Sequence, residues 1–331
     1  MSGITRRGFV TGAAAAGGAL LASACADDGA VRSVRGEDGA FTALPEGEGR
    51  LSVQGGEIWY RVTGSGPGAP LLIIHGGPGF SHDYLLPLEA LGRDRPVIFY
   101  DQLDCGLSDR PGDPANWRLP RFVSEIESIK RDLGLTQFHI LGHSWGGAVA
   151  IEYAAVSRNT VLGCVLASPL ISAARWVEDN RRWRRLLPPN VLATLEQHER
   201  AGTLQSDAYQ AAVRVFYDRH LCRLSPWPPA LTASLDKGNS DLYVNMWGET
   251  EFNATGSLRS YDGSENLARI DSPILFTCGE FDEAPPMTMY RYAKLVADSE
   301  VRIFKDASHT PHLEQTAAYN QAVSIFLSGI G

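Results

Sequence analysis

A serine flanked by glycines is the first sign of chemistry in this chain. Gly142-His143-Ser144-Trp145-Gly146 fits the pattern G-x-S-x-G, between an apolar run at 138–141 and a small-residue stretch at 147–151. A strand, a sharp turn and a helix in that order would lift the Ser144 hydroxyl above the edge of a sheet, at the positive end of the helix. A larger side chain two positions either side of the serine would collide with neighbouring backbone in such a turn. The pattern predicts that Ser144 is a nucleophile.

A second glycine-rich loop could supply amide donors for a developing negative charge. His75-Gly76-Gly77-Pro78-Gly79 follows the continuous apolar run Leu71–Ile74, which is typical of a strand that is buried on both faces. Consecutive glycines let backbone amides face a substrate oxygen with no Cβ in the way. We therefore expect an oxyanion hole made by the amides of Gly77 and Trp145, the residue after the nucleophile.

An acid and a histidine follow two later apolar runs, in the chain order that a serine triad on such a sheet requires. These residues are Asp282 and His309. Carboxyl ends of parallel strands meet at one edge of a sheet, so we expect His309 to take the serine proton and Asp282 to orient the imidazole. His312 is the alternative base and Asp306 the alternative acid. Asp306 is disfavoured because it lies too close to His309 in the sequence to come from a separate loop.

The rest of the chain has the pattern of one large α/β domain with an insertion. Helical stretches alternate with apolar runs, which predicts a doubly wound, mostly parallel sheet with right-handed crossovers. The predicted strands are an antiparallel pair at 51–53 and 57–62, then parallel strands at 71–74, 97–100, 138–141, 161–166, 274–278 and 301–304.

The alternation of predicted strands and helices is interrupted in the second half of the chain. We expect an α/β core at 49–169 and 257–331, and a helical cap over the site at 170–256. Aromatic side chains of the cap either wall the site or form the cap's own core. The tryptophans concerned are Trp176, Trp183, Trp227 and Trp247.

Composition excludes several other classes of function. The chain has 331 residues, 44% of them hydrophobic, and a net charge of −8. Its basic run Arg181–Arg185 is typical of a solvated helix face, so we expect no nucleic-acid partner. No phosphate-binding loop, dinucleotide fingerprint or Cys/His cluster with metal-ligand spacing is present in the sequence, and a triad hydrolase needs no cofactor or metal. Cys164 and Cys278 fall in predicted strands and are expected to be buried free thiols.

Separated motifs along residues 50–328 together resemble the proline iminopeptidases, which are serine aminopeptidases of the α/β-hydrolase fold. The similarity is greatest to the tricorn-interacting-factor-like branch and the related amino-acid amidases. The motifs are His75–Gly79, Tyr100-Asp101-Gln102, Cys105–Asp109, Gly142–Gly147, Gly279–Glu283, Ser308-His309 and the acidic cap segment Asn245–Phe252.

The resemblance implies a site for the substrate's free amine. In that family, a glutamate after the triad aspartate and one from the cap bind the α-ammonium; they match Glu283 and Glu251. A carboxylate in a partly dry pocket rejects N-blocked substrates because its charge would be left unpaired. Asp104 and Thr250 depart from the family's pattern, and these departures bear on the fine substrate preference and not on the chemistry.

The expected activity is release of an N-terminal residue, proline or another small or apolar one, from short peptides or amino-acid amides through an acyl-enzyme. An esterase or lactonase with the same triad is the first alternative. A non-catalytic, surface-anchored binding protein on a hydrolase scaffold is the second, and the intact triad argues against it. The sequence does not specify the oligomeric state.

The N-terminal residues have the pattern of an export signal. Arg6-Arg7 precede a weakly apolar stretch at 12–21, as in signals of the twin-arginine route. Ala22-Ser23-Ala24 is a cleavage site of the A-x-A type, whereas Leu20–Cys25 resembles a lipobox with Cys25 as the lipidated residue. We expect a signal at 1–25, a flexible tether at 26–48 and a periplasmic or other extracytoplasmic lipoprotein anchored to the membrane.

Replacing Arg6-Arg7 by Lys-Lys should block export, because the twin-arginine receptor recognises the guanidinium pair and not charge alone. Cys25→Ala should release the protein from membrane pellets. Immunoblots of cell fractions measure both effects. A Cys25→Ala protein that stays in the membrane would contradict lipidation, and a wholly soluble parent protein would indicate simple cleavage at A-x-A.

Overall fold

The computed structural model describes residue 41 and residues 44–330. The predicted signal at 1–25, with Arg6, Arg7 and Cys25, therefore lies outside the described residues, as does most of the predicted tether. The end of that tether was placed too late: Leu44 is buried in the core and the first strand begins at Gly47. The tether was inferred from composition, which does not register one apolar side chain that packs against the sheet.

Among the described residues, eight strands form one sheet in the order β1-β2-β4-β3-β5-β6-β7-β8. β1 and β2 are antiparallel, β2 and β4 are antiparallel, and all other neighbours are parallel. This confirms the predicted mostly parallel sheet. The strands are β1 (Gly47–Val53), β2 (Gly56–Thr63), β3 (Leu71–Ile74), β4 (Val97–Tyr100), β5 (Phe138–His143), β6 (Val161–Ala167), β7 (Ile274–Gly279) and β8 (Ser299–Phe304).

Helices follow the parallel strands and cover both faces of the sheet. They are α1 (Leu119–Asp132), α2 (Trp145–Val156), α3 (Ala173–Arg184), α4 (Pro189–Ala201), α5 (Asp207–His220), α6 (Pro229–Asp236), α7 (Ser240–Met246), α8 (Ser264–Leu267), α9 (Pro286–Ala293), α10 (Pro311–Glu314) and α11 (Thr316–Ser328). Shorter 3₁₀ segments are His82–Arg93, Pro114–Asn116 and Ser257–Ser260. No helix within residues 44–330 is long and apolar enough to cross a membrane.

The two faces of the sheet belong to two separate hydrophobic clusters. Along β3, Leu72 and Ile74 pack on the side of α1 and α2, whereas Leu71 and Ile73 pack on the side of α11. Because successive side chains of a strand point to opposite faces, a strand covered on both sides needs apolar residues at every position. The continuous apolar runs in the sequence are therefore explained by a sheet that is covered by helices on both faces.

The helices α3–α7 lie between β6 and β7, the interval in which we expected a cap. α4 and α5 pack on each other around a small core of their own, which includes Leu195, Tyr209 and Phe216. α6 instead packs against the 3₁₀ segment His82–Arg93 of the α/β core.

One residue, Ser144, joins β5 to α2. Its φ of 55° and ψ of −120° lie in a region that side-chain-bearing residues avoid. A Cβ on Gly142 would lie 2.3 Å from the carbonyl oxygen of Gly146, and a Cβ on Gly146 would lie 2.2 Å from that of Ile74. Both glycines are therefore required by the close approach of backbone to backbone.

Gly146→Ala should lower the free energy of unfolding by about 1–3 kcal/mol, because the new methyl group must push β3 away from α2. The melting temperature should fall by several degrees. Gly329→Ala is the matched control, since its nearest contact would be an ordinary 3.5 Å to the carbonyl oxygen of Phe326. Equal melting temperatures of the two variants would contradict the close approach.

Candidate active site

The predicted serine, acid and histidine meet at the carboxyl edge of the sheet. Ser144 follows β5, Asp282 follows β7 and His309 follows β8. His309 Nδ1 donates a hydrogen bond of 2.8 Å to Asp282 Oδ1. With the proton on Nδ1, the Nε2 atom is free to accept one. Ser144 and His309 line the same cavity, which has a volume of about 100 Å³.

The carboxylate of Asp282 is fully buried, and each of its two oxygens accepts two hydrogen bonds. Its Oδ2 accepts hydrogen bonds from the Ser168 hydroxyl at 2.6 Å and the Gly279 amide at 3.2 Å. Its Oδ1 accepts from the Ala284 amide at 2.9 Å as well as from His309. These donors stabilise the charge and hold the carboxylate in one orientation.

Ser168 was not predicted from the sequence. It is the residue directly after β6, between the strands that lead to Ser144 and Asp282. A polar residue at the carboxyl end of the strand between two catalytic strands is the signal that could have identified it.

The two alternative residues do not reach the cavity. Asp306 is exposed to solvent. His312 is buried against the rings of Tyr84 and His143. Burial and the neighbouring His309 lower the pKa of His312 to about 3, so it is a neutral packing residue.

A chain of hydrogen bonds joins the glycine-rich loop to His309. The Gly76 amide donates to Tyr84 Oη at 2.8 Å, Tyr84 Oη lies 2.8 Å from His143 Nδ1, and His143 Nε2 lies 2.9 Å from the carbonyl oxygen of His309. A carbonyl only accepts, so His143 Nε2 carries the proton and Nδ1 accepts from Tyr84. Burial, His309 and His312 lower the pKa of His143, which favours the neutral form of its imidazole.

Of the two expected oxyanion donors, Gly77 lines the cavity and Trp145 directly follows Ser144, which lines it too. Gly77 has a φ of +120°, which favours glycine, and Trp145 is the first residue of α2, where amides have no acceptor within the helix. In the part of the chain that the structure describes, neither amide donates to another protein group. Gln102 braces both segments, because its Nε2 donates to the His75 carbonyl and its Oε1 accepts from the Trp145 indole.

Both predicted amine-binding carboxyls face the cavity. Glu251 Oε1 accepts from the Trp176 indole at 2.8 Å, and its Oε2 accepts from the Tyr243 hydroxyl. Glu283 Oε1 is buried and has no hydrogen-bond partner among residues 44–330. An unpaired buried carboxyl oxygen is a costly arrangement unless a ligand completes it.

The ionisation of these two carboxyls is linked. Burial, followed by the charges of Glu251 and Asp282, raises the pKa of Glu283 well above its usual range. Burial also raises the pKa of Glu251, although hydrogen bonds from Tyr243 and Trp176 act in the opposite direction. A cation bound between the carboxyls would stabilise their charged forms and so lower both pKa values.

The remaining wall of the cavity is mostly apolar. Of the cap tryptophans only Trp227 lines it, while Trp183 Nε1 donates to the Asp282 carbonyl oxygen at 2.8 Å. Trp176 and Trp247 donate to Glu251. The cap aromatics thus divide between walling the cavity and supporting its polar groups. The apolar lining residues are Phe80, Leu221, Trp227, Leu231 and Leu235.

The described cysteines Cys105, Cys164, Cys222 and Cys278 are free and buried. This confirms the expectation for Cys164 and Cys278. Within the described ranges, no group of His, Cys, Asp or Glu side chains could hold a metal ion.

A serine-reactive fluorophosphonate should label the protein at Ser144. Ser144→Ala should abolish labelling, and His309→Ala should slow it by at least about a thousandfold, because the serine then has no base. His312→Ala is the matched control and should retain a rate within about tenfold of the parent. Mass spectrometry measures the labelling rates. A large loss of rate in His312→Ala with only a small loss in His309→Ala would mean that His312 is the base.

Comparisons with known proteins agree with this geometry. A family model of the α/β hydrolase fold matches residues 69–316. The proline iminopeptidase of Heyndrickxia coagulans is 40% identical over 285 residues, which are 86% of this chain and 99% of that protein. The proline iminopeptidase of Thermoplasma volcanium is 33% identical over 284 residues, 85% of this chain and 96% of that protein.

Solved structures give the same result. The crystal structure of a proline iminopeptidase from Mycobacterium smegmatis is similar with a TM-score of 0.80 and 32% identity, covering 86% of this chain and 98% of that one. The crystal structure of VinJ is similar with a TM-score of 0.83 and 34% identity, covering 87% of this chain and 100% of that one. This chain belongs to the proline iminopeptidase family of α/β-hydrolase-fold proteins.

Proposed function

We propose that this protein is a serine aminopeptidase that releases an N-terminal proline, or another small or apolar residue, from short peptides or amino-acid amides. The observation that carries the proposal is the placement of Glu251 and Glu283 in the cavity that Ser144 and His309 line. The unpartnered, buried Oε1 of Glu283 calls for a positively charged donor, and the α-ammonium of a substrate is such a donor.

The geometry supports an acyl-enzyme route. The Ser144 hydroxyl attacks the scissile carbonyl carbon while His309 Nε2 takes its proton, and Asp282 stabilises the resulting imidazolium. The amides of Gly77 and Trp145 stabilise the oxyanion of the tetrahedral intermediate. His309 then gives its proton to the leaving amine, and a water molecule activated by the same histidine hydrolyses the ester on Ser144.

The carboxyl pair explains why a free amine would be required. An N-blocked substrate would bury Glu251 and Glu283 without a cation, which is unfavourable for at least one of them. Because burial and the neighbouring charges raise the pKa of Glu283, an ammonium group that stabilises the carboxylate binds with release of a proton at any pH below that raised pKa. Affinity for the amine therefore rises as the pH rises through the raised pKa, until the substrate amine itself loses its proton.

The alternatives explain less of the site. An esterase or lactonase would use the same triad but leave Glu283 Oε1 unpaired. A non-catalytic binding protein would need neither the buried donors around Asp282 nor the strained backbone of Ser144.

We also propose that the enzyme is exported from the cytoplasm and is held at the membrane by a lipid anchor. Support for this comes from the sequence alone, through Arg6-Arg7 and Cys25.

Glu283→Gln should lower kcat/KM for unblocked aminoacyl amides by at least roughly tenfold to a hundredfold, the scale of one charge-assisted hydrogen bond. Hydrolysis of a small neutral ester should change little, because its transition state does not use that carboxylate. Glu251→Gln should act in the same direction. Steady-state kinetics on both substrates make the test, with the exposed Glu300→Gln as a matched control.

Equal losses on both substrates would mean that Glu283 supports Asp282 and does not bind the amine. No loss on either substrate would favour the esterase alternative.

A further inference from the structure

The cap is hydrogen-bonded to the far end of the glycine-rich loop. Ser234 of α6 uses its hydroxyl twice: Oγ accepts from the Ser81 amide at 3.1 Å and donates to the Ser81 carbonyl oxygen at 3.0 Å. Both serines are fully buried. Two residues upstream, the Gly79 carbonyl oxygen accepts from the Asn239 amide at 2.9 Å.

The same cap segment is fixed to a second core loop. Asn239 Nδ2 donates to the Asp104 carbonyl oxygen at 3.0 Å, while its Oδ1 accepts from the Leu242 amide and caps α7. Contact at Gly79 is close, since a Cβ there would lie 2.8 Å from the Asn239 carbonyl oxygen. The junction of α6 and α7 is therefore held against the core at defined points.

The loop between these points carries the oxyanion donor. Its start is fixed at Gly76, whose amide donates to Tyr84, and its end is fixed at Gly79 and Ser81 by the cap. Gly77 lies between them at a φ of +120°, and a glycine can turn its amide away at little cost when its neighbours are free. Oxyanion stabilisation depends on an amide that is already aimed before the reaction.

We infer that Ser234 and Asn239 are positioning residues that hold the Gly77 amide toward the oxyanion. The cap then has a role in the chemical step as well as in enclosing the substrate. This inference rests on the proposed role of Gly77 in acyl transfer. It does not depend on whether the acyl group carries an amine.

The test compares two variants of the full-length protein with a control on the same helix. Ser234→Ala removes both hydrogen bonds to Ser81, and Asn239→Asp keeps the cap of α7 but cannot donate to the Asp104 carbonyl. Thr232→Ala is the control, because that hydroxyl is exposed and bonds only to the Pro228 and Pro229 carbonyls. The readouts are kcat and KM for an aminoacyl amide and for a neutral ester, the affinity for free proline, and inhibition by a boronic acid that forms a tetrahedral adduct with Ser144.

Ser234→Ala should lower kcat by about tenfold to a hundredfold on both substrates, the scale of a misaimed donor, with KM within about twofold. Inhibition by the boronic acid should weaken in proportion to kcat, while proline binding is unchanged. Asn239→Asp should change the same quantities in the same direction, and it decides the matter alone if Ser234→Ala does not fold.

A kcat within about threefold of the parent in the folded variants would overturn the inference. So would a loss of boronate affinity matched by an equal loss of proline affinity, since that indicates general damage to the site. The neutral ester does not use Glu283. If the aminopeptidase proposal fails, the kcat values of the Ser234 and Asn239 variants on the ester therefore still test this inference.

Discussion

The close approach of backbone to backbone around Ser144 is the constraint on which the rest of the site depends. β5 turns into α2 within one residue, and the turn is possible only because Gly142 and Gly146 leave room for the carbonyl oxygens beside them. The turn places the Ser144 hydroxyl beside the cavity and leaves the Trp145 amide without an acceptor. The preceding residue, His143, is buried and bonds Tyr84 and the His309 carbonyl oxygen. One strained residue thus orders the proposed nucleophile, a proposed oxyanion donor and the support of the proposed base.

The second constraint is electrostatic. Three carboxyls, Asp282, Glu283 and Glu251, lie buried or half-buried near one another, and only Asp282 has a full set of donors. The pKa values of Glu251 and Glu283 are raised by burial, so these side chains destabilise the folded protein as the pH rises above their ordinary range. A site that costs stability in this way is typical of a binding function, since an ammonium ligand offsets the cost only when it is present. The same charges that make the empty cavity unfavourable are the basis of its proposed selectivity for a free amine.

Much of the fold and of the site follows from local sequence patterns. Continuous apolar runs predict strands buried on both faces, and Ser144, Asp282 and His309 each directly follow one of these strands or its short loop. Groups that act through long-range contacts were not predicted. Ser168 bonds Asp282 across 114 positions of the chain, and Ser234 bonds Ser81 across 153. Nothing in the local pattern around Ser234 distinguishes it from a surface residue, because its partner is determined by the packing of α6. Ser168 has one signal, its place directly after the strand between β5 and β7, and that signal requires the strand order to be known first. Trp176 and Trp183 were expected for their apolar rings, which do pack in hydrophobic clusters, but the hydrogen bonds of their indole N–H groups were not predicted.

We infer that this cavity selects a free α-amine beside a serine acyl-transfer centre. The most direct test is the ratio of kcat/KM for a prolyl chromogenic amide to that for the same amide with an acetylated nitrogen, measured on the purified full-length protein. We expect a ratio of at least about a hundredfold, because the blocked substrate leaves a buried carboxyl without its cation. A ratio near one would contradict it.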